Sequence, residues 1–327
     1  MFEEIDGHKT AKLALKAAVE SGRAAHAYIF SGPGGAGKKL TALSFAKKLN
    51  CPLKTDGICD CNVCARIENG VHPDVSLFEY TESRIITVDN VREEIETRIF
   101  LKPFEAKYKI FIVDDAERMN SSAQNAFLKT LEEPPPYSVI MLITQLPSMI
   151  LPTIRSRCRT VAFGKLDGRV AREKLTERGD LSPEEIDLAV TIADGSPGKA
   201  LKTGAEETRK TLETLKALCA ARGAGEAGVF KFVENILGKA KGTAAQRVEA
   251  EKLADSAALL IRDLIHTKAG EDSMFPDWIP GDFAAKTGAD EITEKARALE
   301  EMAAGVKLGN LNCRIALEKM VFRFAKP

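Results

Sequence analysis

Apolar positions recur at helical spacing through HKTAKLALKAAVESGR (8–23), then compress into the short apolar run AYIFSG, which reads as a buried strand. A glycine-rich stretch follows, and KKLTALSFAKKLN predicts a helix directly after it. DVSLFEY reads as a strand, TVDNVREEIETRIF as a helix, and YKIFIVDDAERM as a strand ending in acids. NSSAQNAFLKTLEEPP is a helix capped by Asn120 or a following Ser and stopped by Pro134, and YSVIMLIT is a further apolar strand. Strands alternating with helices to about residue 163 predict a parallel sheet covered on both faces.

Beyond TVAFGKL the strand pattern ends. Residues 167–203 read as short helices separated by Gly and Pro, one of them opened by Ser182 as N-cap with Pro183 behind it. From about residue 206 the helices lengthen: EETRKTLETLKALCAARG, AGVFKFVENILGKAK, AAQRVEAEKLADSAALLIRDLIHTKAG and GNLNCRIALEKMVFRFAK. DSMFPDWIPGD reads as a loop between helices. The expected organisation is an α/β domain over 1–163, a small helical domain over 164–205 and an all-helical domain over 206–327.

Composition narrows the function classes. At 327 residues two or three domains are expected, and 44% hydrophobic residues suffice for proper cores. Lys plus Arg equals Asp plus Glu, 47 each, so a whole-chain electrostatic grip on nucleic acid is not indicated. The basic pairs at 38–39 and 47–48 are ordinary clusters, which argues against an independent DNA-binding protein. No apolar run approaches about 18 residues, and MFEEIDGHKT lacks the apolar core of a signal peptide. The expected location is the cytoplasm.

GPGGAGKKL (32–40) is a phosphate-loop pattern, G-x-x-x-x-G-K-[ST], broken at its last position. Gly32, Gly34, Gly35 and Gly37 permit close backbone approach to a phosphate, and Lys38 is the phosphate lysine. Asp114, at the end of IFIVDD, is placed to hold Mg²⁺ through water, and Asp115 stands where a water-orienting Glu is usual. The defect is Lys39, which offers no oxygen to a metal. A cation about 4 Å from Mg²⁺ costs on the order of 8 kcal/mol at an effective dielectric of 20. Thr41 cannot substitute, lying about 200° further round the helix. Asp115 is one methylene short, and a misplacement of about 1 Å can cost roughly 100-fold in rate. Together these faults predict a degenerate site in which ATP and Mg²⁺ bind weakly or not at all.

VDDAERMNSSAQNAFLKTLEEPPPYSVIMLIT followed by LPTIRSRC resembles the bacterial clamp-loader subunits of DNA polymerase III, members of the AAA+ class; AHAYIFSGP and VHPDV fit too. The resemblance covers the first 205 residues well and the C-terminal helices, through NLNCRIALEKM, more weakly. It implies an AAA+ fold, a helical lid and a C-terminal collar that holds the loader together. GSPGKAL, with Gly198 where the tau/gamma motor members carry a γ-phosphate-sensing Arg and Lys199 beside it, looks like the stationary delta-prime members. That implies a stator without intrinsic ATPase, within the polymerase III holoenzyme. Its partners would be the tau/gamma motor and delta subunits and, through the complex, the sliding clamp and primed DNA. Arg157 of SRC would project into a neighbour's ATP site as an arginine finger, worth roughly 10³–10⁵-fold in rate in such enzymes; Arg155 is the second choice. The alternative is an active or nucleotide-switched ATPase of the tau/gamma kind.

Cys51, Cys59, Cys61 and Cys64 fall within one short insertion. In a reducing compartment such clustering points to metal more than to disulfides. Four thiolates would make a closed structural Zn²⁺ site, although C-x7-C-x-C-x2-C is tighter than the spacing usual in the family. Reduced or disulfide-linked cysteines without metal are the other option. His72 is a conceivable substitute ligand, with a capping or core role as its plainer reading.

Overall fold

The computed structural model describes residues 2, 4–54, 57, 59–79, 85–223, 225–238, 240, 242–307 and 312–325. Tyr80 of the second strand reading and the GNL start of the last helix reading lie outside these. The chain divides into two compact units, Met1–Glu177 with Ala193–Lys202 and Arg178–Ile192 with Thr203–Pro327.

The first unit holds five strands, β1 (Ala27–Ser31), β2 (Val75–Phe78), β3 (Lys109–Val113), β4 (Ser138–Thr144) and β5 (Arg159–Ala162). All pairings are parallel, in the order β2-β3-β4-β1-β5, as the alternating pattern predicts. β3 and β4 are buried at every position, the mark of strands covered on both faces. The two-residue period divides their side chains between two apolar layers. Tyr28, Phe30, Ile110, Ile112, Met141 and Ile143 pack with Leu15 of α1 (Lys9–Glu20) and Phe45 and Leu49 of α2 (Lys38–Asn50). Ile29, Phe111, Val113, Ile140 and Leu142 face the other layer.

That second layer is built by helices carrying the later motifs. α3 (Asn62–Glu68), which bears the end of the cysteine cluster, packs its Ile67 into the first layer instead; in the second, α4 (Val88–Val91) and α5 (Thr97–Ile99) flank a π-helical turn at Arg92–Glu96, where one continuous helix is the simpler expectation. α6 (Ser121–Glu132) starts at Asn120, whose side-chain oxygen accepts the Ala123 N–H at 2.8 Å. Phe127 and Leu131 of α6 pack with Ile150 and with Ile154 of α7 (Pro152–Arg155). Of the short helices that follow, α8 (Gly168–Arg178) lies almost wholly in the first unit, α9 (Pro183–Ile192) in the second, and α10 (Pro197–Lys202) in the first. Ser182 and Glu185 cap α9 reciprocally, side chain to backbone in both directions.

The second unit is helical: α9, α11 (Ala205–Ala220), α12 (Gly225–Leu237), α13 (Thr243–Lys268), α14 (Gly281–Lys286), α15 (Ala289–Lys307) and α16 (Cys313–Ala325). Leu215, Val233, Leu260, Leu264, Met302, Leu317 and Phe324 lie in one core. α14 begins inside the stretch read as a loop, and α15 is a long helix that the hydrophobic pattern does not single out. Lys295 of α15 is fully buried; its ammonium donates to the Phe324 carbonyl at 2.9 Å and pairs with Glu291 at 2.9 Å.

Candidate functional site

The glycine loop leaves the C-terminal end of β1 and runs into α2, at the sheet edge where open parallel sheets bind ligands. β4 separates β1 from β3, so Asp114 and Asp115 emerge from that same edge. Gly35 and Gly37 have φ of +72° and +85°, a left-handed backbone that glycine adopts without steric cost. Gly32 has a positive φ too, +151°, and no room besides: a Cβ there would meet the Phe163 carbonyl oxygen at 2.2 Å, whereas one on Gly34 would meet only the movable side chains of Gln145 and Lys199.

Lys38 is buried, and its ammonium donates to the carbonyls of Gly32 and Pro33, each at 2.7 Å. Burial pulls its pKa below the usual lysine range, against the opposing charges of Glu117, Asp114 and Asp115. Asp114 accepts the Asp115 N–H at 3.0 Å. Burial, and then the neighbouring Asp115, push its carboxyl above the usual range. Asp115 has a left-handed backbone, φ +49°, and pairs with Arg118 at 3.2 Å. Lys39 pairs with Glu79, just past β2. Thr41, buried, spends its hydroxyl on the Gly37 carbonyl at 2.8 Å.

The segment 193–202 closes on the loop. Ser196 Oγ donates to the Gly34 carbonyl at 3.0 Å and the Gly198 N–H to the Gly35 carbonyl at 3.1 Å. A Cβ on Gly198 would stand 2.7 Å from that oxygen and 2.9 Å from Gly35 Cα.

Cys51 caps the end of α2, Cys61 precedes α3 and Cys64 lies within it. With Cys59 their sulfurs all lie within 4.8 Å of one another, Cys51 Sγ being 3.7 Å from Cys59 Sγ and 4.0 Å from Cys61 Sγ. Four thiolates about 2.3 Å from a tetrahedral Zn²⁺ would be roughly 3.8 Å apart, so the donor set fits a metal of that kind. His72 stands apart from this group: its Nδ1 accepts the Asp74 N–H at 3.1 Å. Asp74, also buried, accepts the N–H groups of Phe104, Glu105 and Ala106 at 2.7, 2.9 and 3.0 Å.

Arg157 follows α7 at some distance along the chain from the loop. Its Nη1 donates to the Thr153 carbonyl and its Nη2 to Glu132 Oε1, both at 2.9 Å. Arg155 is exposed and makes no side-chain hydrogen bond among the described residues.

Residues 7–167 match the family model described as DNA polymerase III, delta subunit. The gamma/tau subunit of Mycobacterium tuberculosis is 33% identical over 221 residues, 67% of this chain and 37% of that protein. The delta' subunit of Pseudomonas aeruginosa is 35% identical over 191 residues, 57% of this chain and 58% of that one. The chain belongs to the clamp-loader subunit family of DNA polymerase III. The fold agrees: the crystal structure of a gamma subunit-related protein from Thermotoga maritima aligns with a TM-score of 0.53 at 19% identity, over 95% of this chain and 98% of that one. The chain spans less than two thirds of the length of these curated relatives, 37% and 58%.

In this clamp-loader subunit, sequence reasoning missed four residues around the loop. Glu117 has a carboxylate oxygen buried without a hydrogen-bond partner, and its other oxygen accepts the Gln145 N–H at 3.2 Å. It sits two residues beyond the acids of IFIVDD, in a 3-10 turn (Ala116–Arg118) that redirects the chain. Gln145 and Glu79 reach the site only through the fold, and no local motif marks them; Ser196 lies within GSPGKAL, but nothing local shows that it bonds the loop. No described helix is long and apolar enough to cross a membrane.

Proposed function

We propose that this chain is a delta-prime-type clamp-loader subunit: a stator that hydrolyses no ATP itself and supplies Arg157 in trans to a gamma/tau neighbour. In this reading 1–163 is the AAA+ domain, 164–205 a lid and 206–327 a collar. Its partners are gamma/tau and delta subunits and, through them, the sliding clamp and primed DNA in the cytoplasm. The four cysteines hold a structural zinc that staples the insertion after α2.

The observation that carries the reading is the closed phosphate loop. Lys38 is bonded to its own loop, and the carbonyls of Gly34 and Gly35 are taken by Ser196 and Gly198. Lys39 puts an ammonium beside Glu79 on the metal side. A nucleotide phosphate would have to draw Lys38 off its own loop, without a Ser/Thr metal ligand or a residue-198 side chain to compensate. The second reading, a slow or nucleotide-switched ATPase, is favoured by the left-handed loop backbone at Gly35 and Gly37 and by the acids facing Lys38.

Arg157→Ala tests the proposal in a complex assembled with the gamma/tau and delta subunits. The expected result is lower DNA-stimulated ATP turnover with assembly intact. Unchanged turnover removes the trans role of Arg157. Turnover by the isolated chain that vanishes on Lys38→Ala selects the second reading.

A further inference from the structure

Glu132 is the last residue of α6. A carboxylate at that end faces unpaired helix carbonyls, an arrangement the helix dipole disfavours. Helix stability therefore gives no reason for an acid there. Its partner does: Glu132 Oε1 accepts from Arg157 Nη2 at 2.9 Å while Thr153 O accepts from Nη1 at 2.9 Å. The two acceptors grip the guanidinium at both terminal nitrogens. Of the five N–H groups of an arginine, three stay available to an incoming anion.

The base under this grip is stiff. Gln124 of α6, buried, donates to the carbonyls of Met119 and Met149 at 3.0 and 3.1 Å and accepts the Leu151 N–H at 2.7 Å. It thus fastens the lead-in to α7 onto α6. Ile150 and Ile154, both fully buried, pack in the same apolar layer as Phe127 and Leu131. Thr153 and Glu132 therefore come from two elements held in fixed register. The ion pair itself is open to solvent, with side-chain exposures of 37% and 51%, so as a stabilising contact it is worth little. Orienting a long, mobile side chain is what such a pair does best: the planar guanidinium is fixed before it meets a partner.

We infer that Glu132 is the positioning residue for Arg157, holding its guanidinium in the orientation in which it meets the nucleotide of a neighbouring subunit. The inference rests on the trans role proposed for Arg157. Glu132 acts only through that arginine and touches no nucleotide.

A double-mutant cycle in the gamma/tau–delta complex tests it, with Glu132→Ala, Glu132→Gln, Arg157→Ala and the Glu132→Ala/Arg157→Ala pair. Glu132→Ala is expected to lower kcat for DNA-stimulated ATP turnover about tenfold, short of the roughly 100-fold that a 1 Å misplacement can cost, with KM for ATP and the thermal midpoint of this chain unchanged. Glu132→Gln, which keeps an acceptor oxygen, restores part of the loss. The double variant is no slower than Arg157→Ala alone. Losses that multiply, an unchanged kcat in Glu132→Ala beside a slowed Arg157→Ala, or a faster Glu132→Ala overturn the inference and leave the finger standing. No effect of Arg157→Ala removes the trans role and the inference with it.

Discussion

The N–H of Gly198 donates to the carbonyl oxygen of Gly35 at 3.1 Å, and the Cα of Gly198 sits where any side chain would strike that same carbonyl. Glycine is needed at 198 for clearance, since its φ is not in the left-handed region. Gly198→Ala must therefore push α10 off the loop or strain it. We expect a loss of about 1–3 kcal/mol in chemical denaturation, the usual cost of overpacking. An unchanged midpoint would show that the contact yields freely.

The same closure predicts the response to nucleotide. A ligand at 100 times its Kd stabilises a protein by about 2.7 kcal/mol. Millimolar Mg-ATP is expected to leave the thermal midpoint of the purified chain where it was, and equilibrium dialysis to find no bound nucleotide. A clear upward shift that Lys38→Ala abolishes would mean that the loop opens to its ligand.

The cysteine cluster predicts one zinc per chain by metal analysis. Ligands in such a site must be thiolates, yet without metal burial and the neighbouring Cys61 and Cys51 push the Cys64 thiol well above its ordinary value. Chelator should lower the thermal midpoint and expose the insertion after α2 to protease, and Cys64→Ser should do the same. A metal-free chain with an unchanged midpoint would assign these thiols another role.

Asp74 predicts the acid limb of stability. Burial alone would raise its carboxyl, but the N–H groups of Glu105, Phe104 and Ala106 outweigh it and hold the folded-state pKa below the ordinary value. A depressed carboxyl contributes stability that is complete above the unfolded pKa, about 3.9, and is lost as pH falls through the folded one. Asp74→Asn should cost about 2 kcal/mol at pH 7 and flatten the fall in stability below about pH 4. Burial also lowers the pKa of His72. Its neutral Nδ1 accepts the Asp74 N–H, so stability is full above about pH 6.5 and declines as pH falls through the lowered value. His72→Asn should flatten that second limb in denaturation curves taken from pH 7 to 5.

What the sequence revealed depended on whether a signal was local. β3 and β4 are legible because KIFIV and SVIMLIT are buried throughout, and Asn120 and Ser182 because caps are one-residue signals. The phosphate loop, the acids after β3 and the cysteines are contiguous motifs. α15 was hidden because its buried face runs Ile292, Lys295, Ala298 and Met302; a lysine and an alanine at two of four core positions erase the apolar period. α3, α7 and α14 are too short to show one. Glu117, Gln145, Ser196 and Glu132 meet their partners across long stretches of chain, and no window of sequence contains both members of such a pair.

The first unit is a composite in chain order: its segment 193–202 arrives only after α9 has been laid down in the other unit. As the chain is synthesised, the phosphate loop and its acids emerge with Gly34 and Gly35 still lacking the hydrogen bonds of Ser196 and Gly198. For that interval, of the contacts that close the loop, only those of Lys38 can form. Its closure waits on residues made some 160 positions later, so the step that seals the loop belongs to the end of folding of this unit rather than to its beginning.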